Sequence, residues 1–181
     1  LVREGSAMLT AVATDLMRVP GCKVSTLRDP RVLQLAMHGC TVVDVLSTSE
    51  HNDELERLSS CADATILIAP EFDGILLKTA QRVVSNGAKL ASPAPEFIRI
   101  AGNKQNTCDQ RKKSGVPVPQ GMVMESDEPM PADFTYPAVL KPIDGAGSQD
   151  TYVVNGSRDE PPAYAWSRRL EKFVPGMAAS V

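Results

Sequence analysis

Aromatic side chains are scarce: one Trp, three Tyr and four Phe make up 4% of the 181 residues. Sequence-tolerant binding of single-stranded nucleic acid relies on aromatics interleaved with basic residues. Arg111-Lys112-Lys113, with Arg99 and Lys104, therefore reads as a local basic patch rather than a nucleic-acid footprint. The net charge of −3 gives no global attraction to nucleic acid or to an anionic membrane. No apolar run approaches the ~20 residues needed to cross a bilayer, and no signal-peptide core opens the chain. The cytosol is the default location. There are only two histidines, His38 and His51, in different predicted elements without triad partners, so structural roles are expected for both.

Cys22, Cys40, Cys61 and Cys108 form no CxxC pair and have no histidine at metal-ligand spacing. A chain of this size does not need disulfide staples, and buried free thiols are expected. A GxGxxG fingerprint is missing as well, so an open sheet would not by itself indicate a dinucleotide. What remains, 43% hydrophobic and 23% charged residues, is the composition of a globular protein with one ordinary core or two small ones.

The first half alternates strand and helix signals. Met8, Val12, Leu16 and Val19 recur at helical spacing within Ser6 to Val19, and Pro20-Gly21 ends the segment. Lys23 to Leu27 alternates like a short strand, and Thr41 to Leu46 is a β-branched, apolar candidate for a buried one. Asn52-Asp53-Glu54 can open a helix carrying Leu55 and Leu58. Asp63 to Ala69 is the strongest strand signal. Asp73 to Asn86 follows as an amphipathic helix with Ile75, Leu76, Thr79, Ala80, Val83 and Val84 inward and Gly87 at C′, before a short strand at Ala88 to Ala91. This order predicts an α/β domain, an open, Rossmann-like, doubly wound parallel sheet over residues 1–94.

Ser92-Pro93-Ala94-Pro95 marks the expected boundary with a second domain, 95–181. There Asn103 can cap a helix to about Ser114, which Gly115-Val116-Pro117-Val118-Pro119 stops. Short strands are predicted at Gly121 to Glu125, Tyr136 to Lys141, Thr151 to Val154 and Glu171 to Val174, giving a small α+β lobe. Trp166 and Tyr164 are expected in packing roles.

Four elements of this lobe have a use with a polyphosphate ligand. Lys104 stands at the start of the helix, and Lys141 ends the strand Tyr136-Pro-Ala-Val-Leu-Lys141. An ammonium on a rigid strand end meets a phosphate oxygen with little ordering cost. In Asp144-Gly145-Ala146-Gly147-Ser148-Gln149-Asp150, small side chains let backbone N–H groups close over phosphates. Glu171-Lys172-Phe173-Val174 is a strand edge that offers a base one carbonyl and one amide. Taken singly, each has a plain alternative: a solvated lysine, a charged gatekeeper, an ordinary hairpin loop and a surface ion pair.

In this order and spacing, the four elements resemble the ATP-grasp superfamily over Pro95 to Val181, and the first ~95 residues are similar to the open-sheet pre-ATP-grasp domain that precedes it. The resemblance implies an ATP-dependent carboxylate–amine ligase working through an acylphosphate, with ATP and Mg²⁺ as cofactors. A small-molecule carboxylate and an amine are the implied substrates, and a homodimer is an assembly open to such a chain. It implies that Lys104 and Lys141 contact the α- and β-phosphates, that Gly145, Ala146, Gly147, Ser148 and Gln149 cover the phosphates, and that Glu171, the Lys172 carbonyl and the Val174 amide meet the adenine edge. A non-catalytic nucleotide-binding module, or another ATP-grasp chemistry such as phosphorylation or carboxylation, stands as the alternative.

The chain departs from the family at Met177-Ala178-Ala179, where many relatives carry a ribose-binding glutamate. The family's magnesium-binding acids and Asn belong to later strands than these, so an incomplete catalyst is expected. Leu1 at one end and the apolar run at Ser180-Val181 at the other both read as cut ends. Glu4-Gly5-x-Ala7-Met8-Leu9, Pro70-Glu71-x-Asp73-Gly74 and Gly176-x-x-Ala179-Ser180-Val181 look most like the archaeal-type group that includes tyramine–L-glutamate ligase.

Overall fold

In the computed structural model, which describes residues 2–32 and 39–177, helix α1 runs from Val2 to Met17. Ala13 is its buried residue, while Met8 and Val19 of the predicted stripe are more than half exposed. Strands β1 (Ser25–Arg28) and β2 (Thr41–Asp44) pair in parallel, with Thr26 opposite Val42 and Leu27 opposite Val43. Arg28 and Asp44 close the ladder with a two-pronged ion pair, Nε–Oδ1 2.6 Å and Nη2–Oδ2 2.9 Å.

Helix α2 spans Thr48–Cys61 and begins four residues before the Asn52 opening that the sequence predicts. Ser47 Oγ accepts the Glu50 N–H at 3.1 Å, and the Glu50 carboxylate accepts the Leu46 N–H at 2.7 Å. Ser47 thus caps the first turn while Glu50 anchors the residue before the cap, so the helix starts there. Helix α3 (Ile75–Ser85) buries Ala80 and Val83, and Gly87 follows its C-cap at φ 75°. Ile75 and Val84 of the predicted inward stripe are exposed instead.

The segment Asp63 to Ala69 does not form the strand its composition predicts. It makes one parallel bridge, Thr65 with Leu90, through Thr65 N–H to Lys89 O and Ala91 N–H to Thr65 O, both 2.8 Å. The Leu67 N–H then goes to the Ser92 hydroxyl at 2.8 Å. A ladder cannot continue past Pro93, which has no N–H to donate.

By contact density the chain divides into Leu1–Pro70 with Gly74–Pro95, and Glu71–Asp73 with Glu96–Val181. In the second unit the short helix α4 (Pro95–Ala101), absent from the sequence reading, precedes α5 (Lys104–Lys113). Asn103 Oδ1 caps α5 by accepting the Asn106 N–H at 3.0 Å, and Thr107 Oγ1 ties α5 to the Ile100 carbonyl at 2.7 Å. Past the C-cap Ser114, Gly115 turns the chain away at φ 74°.

Strands β3 (Gly121–Met124), β4 (Ala138–Pro142), β5 (Tyr152–Val154) and β6 (Arg168–Lys172) form an antiparallel sheet in the order β3-β6-β4-β5. Residues alternate between its faces. Ala138, Leu140, Val154, Leu170 and Met124 form the core on one face, with Met130, Phe134 and Tyr136 packed against it. Lys141, Arg169 and Glu171 occupy the other. Strand β6 lies three residues earlier than the predicted Glu171 to Val174, because Arg168 and Arg169, charged yet buried, hide it from an apolar reading.

The four cysteines are free, as expected, but Cys61 is exposed and the other three only half-buried. Trp166 stacks edge-on to Tyr164 at 5.4 Å while remaining 60% exposed, a surface pair rather than a core one. His51 sits within α2, and His38 lies outside the described residues.

Candidate functional site

Lys104 is the first residue of α5, and its position is fixed at both ends. Its backbone N–H, one of the helix's orphan donors, goes to the Ile143 carbonyl at 2.7 Å. Its Nζ donates to the carbonyls of Asp144 at 2.6 Å and Gly145 at 3.0 Å. The solvated surface lysine that base rates favour is thus not what the fold makes of it. Burial pushes its pKa below the ordinary lysine value, helped by the nearby Lys141 ammonium and opposed by Asp144, Glu71 and Glu171.

Lys141, near the end of β4, gives its Nζ to Glu171 Oε1. Glu171 Oε2 takes Arg169 Nε at 3.1 Å, and Arg169 Nη1 donates to Gln105 Oε1 on α5. The register places these groups together: Lys141 stands opposite Arg169, and Glu171 lies between Val139 and Gly121. Glu171 therefore pairs across the sheet with Lys141, not along its strand with Lys172.

The loop Asp144 to Asp150 leaves the same end of β4. Gly145, Gly147, Ser148 and Asp150 have φ values of 71°, 79°, 56° and 49°. Anion-binding nests pair right- and left-handed residues, and this loop supplies left-handed ones at four positions. Asp144 Oδ2 accepts the Asp73 N–H at 3.1 Å, whereas Ala146, Gly147, Ser148 and Gln149 are exposed.

At the far end of β6, the Lys172 N–H donates to Gln120 O at 2.8 Å and the Phe173 N–H to Pro137 O at 3.0 Å. The two groups of a strand residue point to one side, so the Lys172 carbonyl faces the Gln120 side. Val174 follows, 61% exposed.

The structure thus brings Lys104, Lys141, Glu171 and the base of the loop into one neighbourhood, with Lys172 and Val174 at its strand end. Sequence reasoning missed Arg169 and Gln105. The available signal was Gly121: glycine opening a strand marks a close approach. A Cβ there would lie 2.6 Å from Arg169 Nη2. Among the described residues no group of three or more His, Cys, Asp or Glu could hold a metal ion.

Comparison with known proteins fits this geometry. Residues 22–98 match the family described as the pre ATP-grasp 3 domain, and residues 101–181 match the ATP-grasp domain. The chain is 31% identical over 85 residues to the biotin carboxylase of Pseudomonas aeruginosa, an alignment covering 41% of this chain and 18% of that one. Among solved structures, N5-carboxyaminoimidazole ribonucleotide synthetase from Thermotoga maritima superposes over 94% of this chain and 43% of its own, at 23% identity and a TM-score of 0.65. The biotin carboxylase domain of the Hydrogenobacter thermophilus 2-oxoglutarate carboxylase, crystallised with MgADP, ADP and bicarbonate, superposes over 94% and 42% at 14% identity and a TM-score of 0.67. The chain spans less than half the length of each of these relatives. With both of its halves matched in the expected order, the chain belongs to the ATP-grasp superfamily, a pre-ATP-grasp domain followed by residues of an ATP-grasp domain.

Proposed function

We propose that this chain binds the nucleotide of an ATP-dependent ligase that joins a carboxylate to an amine through an acylphosphate. One observation carries the reading: two lysines, a carboxylate and a small-residue loop converge on one face of a sheet whose opposite face is the core. Residues 1–94 serve as the open-sheet domain and 95–181 as the nucleotide lobe. Lys104 and Lys141 hold phosphate oxygens. The amides of Gly145, Ala146, Gly147, Ser148 and Gln149 cover the phosphates, and Glu171, the Lys172 carbonyl and the Val174 amide read the adenine edge. ATP supplies the phosphoryl group that activates the carboxylate, and the chain's own residues supply binding, orientation and charge neutralisation. Magnesium would be held outside the described residues.

Within the superfamily, the Glu4-Gly5-x-Ala7-Met8-Leu9 and Pro70-Glu71-x-Asp73-Gly74 stretches support a place beside tyramine–glutamate ligases. The match to a biotin carboxylase favours a second reading, activation of bicarbonate rather than of an organic acid. A cytoplasmic location fits both, and no described helix is long and apolar enough to cross a membrane.

Calorimetric titration of ATP into the chain and its Lys141→Ala variant tests the site. A phosphate-contacting ammonium lost from a partly desolvated site costs about 2–3 kcal/mol, about 30- to 150-fold in Kd. Equal affinity of the two proteins would remove Lys141 from the site. In the complete enzyme, ATP turnover stimulated by bicarbonate but by no amine would select the carboxylase reading.

A further inference from the structure

Arg169 is a buried cation that the family resemblance did not assign. Its side chain is 0% exposed and sits on the charged face of the sheet. Nε is held by Glu171 Oε2 at 3.1 Å and Nη1 by Gln105 Oε1, while Nη2 has no hydrogen-bond partner in the protein. The space it fills exists because residue 121 is glycine: a Cβ there would meet Nη2 at 2.6 Å and the guanidinium carbon at 2.9 Å.

A guanidinium does not lose its proton in a protein. Buried, it requires a compensating anion, and Glu171 is the carboxylate it touches. Lys141 competes for the same carboxylate through Oε1. One carboxylate thus faces two cations, and the trio has a formal excess of one positive charge. Of the two cations, Arg169 cannot leave, whereas the Lys141 side chain is 22% exposed and sits at the loop end of β4.

We propose that Arg169 is a positioning residue that holds Glu171 fixed and charge-compensated, so that Lys141 can transfer from Glu171 to a nucleotide phosphate without leaving a bare carboxylate behind. This rests on the reading of Glu171 as the acid facing the adenine amino group. Arg169 then governs nucleotide choice without touching the nucleotide: a carboxylate anchored through Oε2 accepts from the adenine amino donor and repels the carbonyl oxygen that hypoxanthine carries there. Without Arg169, Glu171 collapses onto Lys141, and both are withdrawn from the ligand.

Titration of ATP and of inosine triphosphate into the chain and its variants tests this. Wild type is expected to prefer ATP, and Glu171→Gln to lose much of that preference. Arg169→Met is expected to lower ATP affinity about tenfold and to bring the ATP-to-ITP ratio to that of Glu171→Gln. Arg169→Lys keeps the charge but not the planar fork and should fall between wild type and Arg169→Met. A bulk structural defect would weaken both nucleotides together and leave the ratio alone. Should Arg169→Met fail to fold, Gln105→Leu removes the Nη1 acceptor and should move the ratio the same way by a smaller factor. The proposal fails if Arg169→Lys and Gln105→Leu keep the wild-type ratio while Glu171→Gln loses it, an outcome that leaves the adenine reading intact. A wild-type ratio of one, or a ratio unchanged in Glu171→Gln, overturns the adenine reading and this proposal with it.

Discussion

The Lys104 ammonium donates to the Asp144 carbonyl at 2.6 Å, so helix α5 is pinned to the base of the loop proposed to cover phosphates. The same ammonium reaches the Gly145 carbonyl at 3.0 Å. It holds only the base of the loop before any ligand arrives, and a phosphate must compete with two carbonyls for it. Lys104→Met should therefore act on the free protein as well as on binding. Amide hydrogen exchange at the base of the loop, Ile143 to Gly145, is expected to speed up in the variant without nucleotide, while exchange in β4 and β6 stays as in wild type. Unchanged loop exchange would show that the pin holds nothing.

Burial and the neighbouring Lys141 charge lower the pKa of Lys104 from its ordinary 10.5. A polyphosphate beside it would favour the ammonium and raise that pKa. Below the free-state value Lys104 is already charged, and binding takes up no proton. Above it, binding must take up a proton, so ATP affinity should fall as pH rises through the lowered, free-state pKa. Calorimetry in buffers of differing ionisation enthalpy checks the sign: proton uptake should appear as pH rises through the lowered pKa and vanish in Lys104→Met. Proton release there would place Lys104 away from the phosphates.

Gly121→Ala should destabilise the protein. The added Cβ would lie 2.6 Å from Arg169 Nη2 and 2.7 Å from the Leu170 carbonyl, and the second is backbone that cannot swing aside. Overpacking of this kind costs about 1–3 kcal/mol, readable as a lower urea midpoint at unchanged slope. A midpoint equal to wild type would mean that β3 and β6 separate easily.

Local signals made some of this site legible. Asn103 and Gly115 bracket α5 because capping and left-handed turns are chemistry of single residues. Lys104, Lys141 and the loop can be singled out in the sequence because their order and spacing survive in one dimension. Arg169 was not, since a buried guanidinium depends on Glu171 and Gln105, from another position and another element, to make it tolerable. Asp63 to Ala69 misled for the complementary reason. Its β-branched, apolar content suits a strand, but a ladder also needs donors on the partner; the Ser92 hydroxyl only accepts the Leu67 N–H, and Pro93 has no N–H to give. The start of α2 was misplaced because Ser47 and Glu50 act as a pair, which a search for single capping residues passes over.

The Asp144 to Asp150 loop should be poorly ordered in a nucleotide-free crystal and ordered with nucleotide bound. Ladder pairing between β4 and β5 reaches only Leu140 with Tyr152, so the loop is not a tight hairpin turn closed by cross-strand pairs. Ala146 to Asp150 are exposed, so little buried surface opposes their conformational entropy. Gly145 and Gly147 adopt φ values of 71° and 79° that cost a residue with a Cβ about 1 kcal/mol. Ser148 and Asp150, at 56° and 49°, already bear such strain. Strain and exposure together favour opening, which a loop over phosphates needs for nucleotide exchange. Elevated B-factors or missing density are therefore expected from Gly145 to Gln149 without nucleotide, and order with ATP or ADP bound. Gly147→Ala should weaken nucleotide binding while leaving the unfolding midpoint near wild type, because the open loop escapes the strain and the closed loop does not. A loop equally well ordered in both crystals, away from lattice contacts, would count against a phosphate cover and favour a plain connector between β4 and β5.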